Sequence, residues 1–315
     1  MEKINKQILF IHIPKTAGTS FRLASKEYFG EKNTFFDYGI KSIETSQIIL
    51  KNIYEDNDLF GLREKLLKNE KFFLSGHFGV KKYMNIFNSL NTVTFVRNPI
   101  HQVLSHYNHF VKYNNYKHDI KTFIKDKRFK NIQSNMLNAK PLELFGFVGL
   151  TEKYKESLEM INKEFGTKIE YLNANTAKKG EKEKFFDNDT NDTIDLIREE
   201  NQEDFKLYAD AQELFARRLE SFKSARSYIH RVIQDATANR VVGLAFQKDS
   251  LEPVEVVLMQ NNKILGVEKA TQYKNFLCGH NLPRCNFVGF EFKLSNILYE
   301  KIEVIQRDKL YIELM

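Results

Sequence analysis

Three groups of side chains in the first third of the chain are of types that handle anions and protons. The first is Lys15-Thr16-Ala17-Gly18-Thr19-Ser20, which follows the β-prone run Ile8–Ile13 and Pro14. A helix-like pattern begins at Phe21, so the arrangement reads strand, tight loop, helix. Such a loop leaves the first backbone N–H groups of the helix unpaired, and the helix dipole adds positive potential there. The place favours an anion. Lys15 adds a full charge, Thr16, Thr19 and Ser20 add hydroxyl donors, and Gly18 lets an anion approach the backbone. The second group is Arg97 and Ser105, in TFVRNPIHQVLSHY. Arg97 ends an apolar β-branched run and can pair bidentately with a phosphate. Ser105 follows eight residues later, where a helix turns it back towards the same edge. The third is His77, in SGHFG, whose side chain titrates near neutral pH. Each has a plainer alternative: an incidental lysine in a turn, an arginine capping its own sheet, a histidine hydrogen-bonded inside a turn.

The surrounding pattern supplies elements to hold these groups at one edge. Thr92–Val96 reads as a buried parallel strand. Pro99 suits a helix start, so Ile100–Tyr113 is expected to be helical. Further helices are expected over Phe21–Phe29, Leu59–Lys68 and Lys153–Phe165, the last capped by Thr151. A long one is expected over Thr193–Tyr228. Strands are expected at Lys71–Leu74, Phe145–Val148 and Ile169–Leu172. The segment Glu31–Asp56 is mixed and polar and takes no assignment, and Lys178–Asp192 reads as a loop or lid. Alternating strands and helices imply an α/β domain with a mainly parallel sheet. In such a sheet, ligands bind at the carboxyl ends of the strands.

From about Asn239 the texture changes to short β-prone runs: Val241–Phe246, Val254–Met259, Ile264–Val267, Phe287–Leu294, Ile302–Ile305 and Leu310–Leu314. Turn signals separate them, and this spacing suggests an antiparallel sandwich. The 315 residues are therefore divided into a domain over 1–235 and an accessory domain over 236–315.

Composition narrows the class. With 28% charged and 42% hydrophobic residues, a folded protein is expected. The net charge of +7 suits an anionic ligand or partner without naming it. No dense Lys/Arg stripe supports nucleic acid as that partner. No apolar run approaches the roughly 20 residues of a membrane span, and the N-terminus lacks the features of a signal peptide. Two cysteines, Cys278 and Cys285, are too few for a disulfide scaffold, so a reducing, cytoplasmic location is expected. His12 packs beside the site on the first strand. His106 and His109 share a helix face, and Cys278, His280 and Cys285 lack a fourth ligand.

The stretch PKTAGTS is not the triphosphate loop G-x-x-x-x-G-K-[ST], because its lysine precedes the glycine. It resembles the 5′-phosphosulfate loop of sulfotransferases that use 3′-phosphoadenosine 5′-phosphosulfate (PAPS). The form is similar to that of carbohydrate sulfotransferases, including the heparan sulfate 2-O-sulfotransferase group. The segment R-N-P-x5-S-x-Y resembles their 3′-phosphate motif at every fixed position. By that resemblance Lys15 to Ser20 hold the 5′-phosphosulfate, Arg97 and Ser105 hold the 3′-phosphate, and His77 is the general base. N-x-Q-[ST]-x-x-L over residues 131–137, FVGLTE over 147–152 and LNANTAKK over 172–179 follow the order of related bacterial sulfotransferases. Lys178, with Asn175, either closes over the nucleotide or is a solvated loop charge. The resemblance covers residues 5–225, and the acceptor-cleft residues of the family find no match here. The tail, with VVGLAF, PVEVVLMQNNK and VGFEFKL, resembles a β-sandwich module of bacterial glycan-processing proteins. It either positions a glycan or covers an apolar face.

The implied fold is a P-loop-like α/β sulfotransferase domain with a parallel sheet flanked by helices, followed by a small antiparallel β-sandwich. The implied reaction carries a sulfuryl group from PAPS to a glycan hydroxyl, releases PAP, and requires no metal. A kinase of related fold and a non-catalytic glycan-binding protein are the alternatives. The missing Lys-[Ser/Thr] pair argues against the first, and intact Lys15, His77 and Arg97 argue against the second.

Overall fold

The computed structural model describes residues 6–83, 86–137, 141–172, 191–277, 280, 282–295, 297–306 and 309–315. Asn175, Lys178 and Cys278 lie outside the described residues. The chain divides into two compact units, Met1–Phe87 with Asn91–Leu219, and Asn88–Leu90 with Glu220–Met315. The division falls inside a long helix. Residue 235, the boundary expected from sequence, lies within a strand, His230–Thr237.

The first unit is built on five parallel strands: β1 (Lys6–Ile11), β2 (Thr34–Asp37), β3 (Lys71–Gly76), β4 (Thr92–Val96) and β5 (Phe147–Leu150). Their order is β2-β3-β1-β4-β5. β1 is central and pairs in parallel with β3 on one side and β4 on the other. The chain leaves β1 towards β2 and β3, then crosses to β4, so the direction of winding reverses beside the carboxyl end of β1. That is the switch point at which open α/β sheets bind ligands. Helices flank the sheet: α1 (Gly18–Phe29), α2 (Gln47–Ile49), α3 (Leu59–Leu66), α4 (Pro99–Tyr113), α5 (Ile120–Lys125), α6 (Ile132–Leu137), α7 (Tyr154–Phe165), α8 (Asn191–Glu200) and α9 (Gln202–Lys223).

Strands covered on both faces read as continuous apolar runs. In β1, Ile8, Leu9, Phe10 and Ile11 are all fully buried. Phe10 meets Phe21 of α1 edge-on at 4.8 Å, Phe73 of β3 at 6.1 Å and Phe95 of β4 at 6.2 Å. This aromatic cluster fastens α1 to the three central strands. Each buried Phe contributes about 1.5–3 kcal/mol.

Two expectations fail here for local reasons. Ile169–Leu172 forms no strand, because the Asn162 side chain takes its polar groups: Asn162 Nδ2 donates to the Ile169 carbonyl at 2.9 Å, and the Ile169 N–H donates to Asn162 Oδ1 at 2.8 Å. The long helix expected over Thr193–Tyr228 is two helices, α8 and α9. At the break, Asn201 Nδ2 donates back to the Ile197 carbonyl at 3.0 Å. Its Oδ1 accepts from the Asn131 N–H at 2.9 Å.

The second unit contains β6 (His230–Thr237), β7 (Arg240–Phe246), β8 (Glu255–Gln260), β9 (Lys263–Lys269), β10 (Gln272–Tyr273), β11 (Phe287–Lys293), β12 (Ile302–Gln306) and β13 (Leu310–Leu314). They form two four-stranded sheets, β10-β11-β7-β6 and β12-β13-β8-β9. Val241, Ala245, Phe290 and Phe292 of the first share one core with Val256, Leu258, Leu310, Ile312 and Leu314 of the second. This is a sandwich, antiparallel except that β13 runs parallel to β8.

Candidate active site

The carboxyl ends of β3, β1 and β4 bring His77, the loop after His12 and Arg97 to one edge of the sheet. The loop is shaped by Lys15 and Ala17, both left-handed at φ 66° and 65°. Ala17 is the residue before α1. No side-chain cap at Ala17 and no acid in the first turn offsets the positive end of the helix. The buried Thr16 hydroxyl donates to the Ile13 carbonyl at 2.9 Å and braces the turn from inside. Ser20 is buried and Thr19 half-buried beside it. Lys15 is half-buried; desolvation, and then the charge of Arg97, lower its pKa.

Gly18 carries a constraint that the sequence reading did not contain. A Cβ at this position would lie 2.0 Å from Cδ2 and 2.3 Å from Nε2 of His12. Its bare backbone makes room for an imidazole of the protein itself.

Arg97 is fixed from both directions. Its Nη1 donates to the Lys15 carbonyl at 3.1 Å, tying the strand end to the loop. The Gln133 amide clasps its backbone, accepting from Arg97 N–H and donating to Arg97 C=O, each at 2.9 Å. Gln133 belongs to the N-x-Q-[ST] segment, which acts here as a brace for Arg97. Asp204 of α9 holds that segment in turn. It accepts from the N–H groups of Gln133 and Ser134 at 3.2 and 2.7 Å and from the Ser134 hydroxyl at 2.7 Å. Asn98 caps α4 by accepting from the Ile100 N–H, with Pro99 in the first turn. Ser105 is half-buried on α4. No hydrogen bond joins it to Arg97 among the described residues.

His77 stands at the rim. Its Nδ1 lies 2.6 Å from the His12 carbonyl oxygen. A carbonyl only accepts, so Nδ1 carries the proton and Nε2 presents a lone pair. The residue as a whole is exposed, yet its ring is crowded by His12 at 4.5 Å and Tyr38 at 4.8 Å between centroids. Desolvation lowers its pKa, and the hydrogen bond to His12 pulls the other way. The loop that carries it is held by Asp37 at the end of β2. The Asp37 carbonyl accepts from the His77 N–H at 3.1 Å. The buried Asp37 carboxylate accepts from Lys82 at 2.6 Å, Tyr83 at 2.7 Å and Tyr54 at 2.8 Å.

The chain matches no family model and no curated protein. Among solved structures it is similar to a crystal structure of a sulfotransferase from Alicyclobacillus acidocaldarius. The match covers 60% of this chain and 93% of that one, at 13% identity and a TM-score of 0.32. An overlap this loose assigns no activity.

Several residues that build the edge were absent from the sequence reading. Tyr38 and Asp37 fall in the polar stretch that took no assignment. Glu152 closes the FVGLTE segment two residues past β5, and its acceptance from the Asn98 N–H at 2.9 Å was not part of that reading. Gln102 donates to the Pro14 carbonyl at 3.1 Å, from five residues past Arg97. Asp204 lies too far along the chain for spacing to reveal. No group of three or more side chains suited to a metal ion occurs among the described residues. His106 is buried among Phe110, Phe123 and Phe129 at 5.0–5.6 Å.

Proposed function

We propose that this protein is a sulfotransferase that carries a sulfuryl group from PAPS to a hydroxyl of a carbohydrate acceptor. The observation that carries the reading is the pair of backbone ties across three adjacent strand ends, His77 Nδ1 to the His12 carbonyl and Arg97 to the Lys15 carbonyl. They hold the His77 ring, the start of α1 and the Arg97 guanidinium along one edge, which supports reading them as base, anion site and phosphate clamp. An uncapped, acid-free helix start fits the 5′-phosphosulfate of PAPS. Arg97 uses one donor on Lys15 and keeps four for a 3′-phosphate, with Ser105 as the second partner.

In this scheme His77 Nε2 takes the proton of the acceptor hydroxyl as its oxygen bonds to sulfur. The bond from sulfur to the bridging oxygen of the 5′-phosphate breaks, and PAP departs. Lys15 and the amides of Gly18, Thr19 and Ser20 stabilise the charge that grows on that oxygen. Lys178, outside the described residues, is kept as a nucleotide ligand only on the motif resemblance, with a solvated loop charge as the equal alternative. The carbohydrate class of acceptor rests on the motif resemblance and on the sandwich-like tail. The test of donor recognition is thermal stabilisation, since a ligand that binds the native state raises its melting temperature. PAP should stabilise the protein strongly and AMP only slightly, because AMP gives Arg97 and Ser105 no phosphate. Equal shifts would remove the 3′-phosphate assignment. Arg97→Ala should weaken PAP binding by about 1.5–3 kcal/mol.

A further inference from the structure

We propose that Glu44 binds the acceptor by taking a hydrogen bond from a hydroxyl of an uncharged sugar, with Arg22 as the positioning residue that holds its carboxylate. The proposal rests on the sulfotransferase reading above and deepens it, because it makes the sugar beside the base neutral rather than acidic.

Sheet order separates the two substrates. The anion loop follows β1 and Arg97 follows β4, while His77 follows β3. The order β2-β3-β1-β4-β5 puts the end of β2 on the other side of the base from these donor groups. Attack on sulfur opposite the departing 5′-phosphate oxygen brings the acceptor in from that other side. Of the groups at the end of β2, the Asp37 carboxylate is buried and already holds Lys82, Tyr83 and Tyr54. Tyr38 comes next, its ring 4.8 Å from the His77 ring between centroids. The Arg22 guanidinium of α1 lies 5.2 Å from the Tyr38 ring and 5.3 Å from the Phe36 ring. Arg22 Nη1 donates to Glu44 Oε2 at 2.9 Å. Base, ring, guanidinium and carboxylate thus form one continuous row.

The loop that carries Glu44 is tied back onto β2. The buried Thr45 hydroxyl accepts from the Tyr38 N–H at 3.0 Å and donates to the Gly39 carbonyl at 2.7 Å. Ser46 pairs with Phe36 twice, its N–H donating to the Phe36 carbonyl and its Oγ accepting from the Phe36 N–H, each at 2.9 Å. The Glu44 N–H donates to Ser42 Oγ at 3.2 Å. In this frame the Arg22 side chain is only 16% exposed, and that of Glu44 is 50% exposed. An arriving sugar therefore meets the carboxylate first. A carboxylate only accepts, so a sugar hydroxyl suits it, and the bond is charge-assisted. An acidic sugar would have to displace Glu44 from Arg22 or stand against a like charge. The charges of the pair also reach the base: behind the larger effects of desolvation and the His12 hydrogen bond, Arg22 lowers and Glu44 raises the His77 pKa.

The experiment is steady-state sulfation by the full chain with ³⁵S-PAPS and two hexasaccharides. Cellohexaose is neutral, and hexagalacturonate carries a carboxylate on every sugar. Wild type, Glu44→Gln and Glu44→Ala are compared, with calorimetric titration of PAP into each. Wild type should favour cellohexaose at least tenfold in kcat/KM. Glu44→Ala should raise the KM for cellohexaose about ten- to a hundredfold, the range for a hydrogen bond to a charged group. It also uncovers Arg22, so its KM for hexagalacturonate should fall below that of wild type. Glu44→Gln, which keeps the shape and loses the charge, should lie between. PAP affinity should match wild type in both variants, which separates acceptor binding from a merely structural role. A wild-type preference for hexagalacturonate, an unchanged KM for cellohexaose in the variants, or a parallel loss of PAP affinity overturns the role of Glu44. Should Glu44→Ala not fold, the KM of Glu44→Gln decides alone. Sulfation of neither hexasaccharide by wild type overturns the carbohydrate reading and this proposal with it, so the two failures are distinguishable.

Discussion

The proton on His77 is assigned by its neighbour, not by its own side chain. Because the His12 carbonyl accepts the hydrogen bond from Nδ1–H, Nε2 is the atom with the lone pair. His77→Ala should therefore lower turnover by roughly 10²–10⁴, the usual scale for a general base, while PAP affinity stays near wild type. Steady-state kinetics beside a titration checks both halves. The pH dependence carries a sign. The imidazole pKa is lowered from the ordinary 6.5, mainly by desolvation. The base must be neutral to act, so the acid limb of kcat/KM should fall below pH 6.5 rather than above it. At this scale the convergence of Lys15, His77 and Arg97 on one sheet edge was legible from type and spacing. The tie to His12 was not, because a backbone carbonyl leaves no mark in the residue types. Gly18 was legible as a requirement, but the neighbour that imposes it, the His12 ring, was not.

Elements turn those side chains into a fixed edge. β4 was legible residue for residue, since a fully buried β-branched run bounded by Arg97-Asn98-Pro99 admits one reading. β2 was not legible: Thr34–Asp37 is four residues long and sits in a polar stretch, and it exists because β3 pairs with it. Asn201 breaks the long helical pattern through side-chain bonds to a segment 70 residues away, which no local periodicity reports. α4 supplies a prediction of its own. His106 is buried in an aromatic cage, and desolvation, then the charges of His109, Lys15 and His77, lower its pKa from 6.5 to about 4. The unfolded chain takes up this proton near pH 6.5, and the folded chain only near pH 4. The stabilisation is therefore complete above pH 6.5 and is lost as pH falls through that window. On the order of 3 kcal/mol is at stake. Urea unfolding at pH 7 and pH 4.5 should show the loss, and His106→Leu should reduce it. An unchanged difference in the variant would place the acid sensitivity elsewhere.

At the scale of the molecule, every described residue assigned to the nucleotide or the base belongs to the first unit. A chain ending at Arg226, between α9 and β6, should still bind PAP. If the sandwich positions the acceptor, this shorter chain should lose more activity on a polysaccharide than on a small sugar. Equal losses would deny the sandwich a positioning role, and aggregation of the shorter chain would favour a covering one. The sandwich was legible from its short runs and turns. The parallel pairing of β8 with β13 was not, because partners some fifty residues apart are chosen by the shared core rather than by either strand alone. β6, His230–Thr237, was also missed; its half-buried, polar-rich sequence carries little strand pattern until β7 pairs with it. The central claim is the chemistry itself, and the most direct measurement is transfer of label from ³⁵S-PAPS to defined oligosaccharides and polysaccharides by the full chain. Radioactive sulfate ester should appear on a carbohydrate with matching release of PAP, and His77→Ala should abolish nearly all of it. No labelled product on any acceptor, or equal labelling by wild type and His77→Ala, would contradict the account.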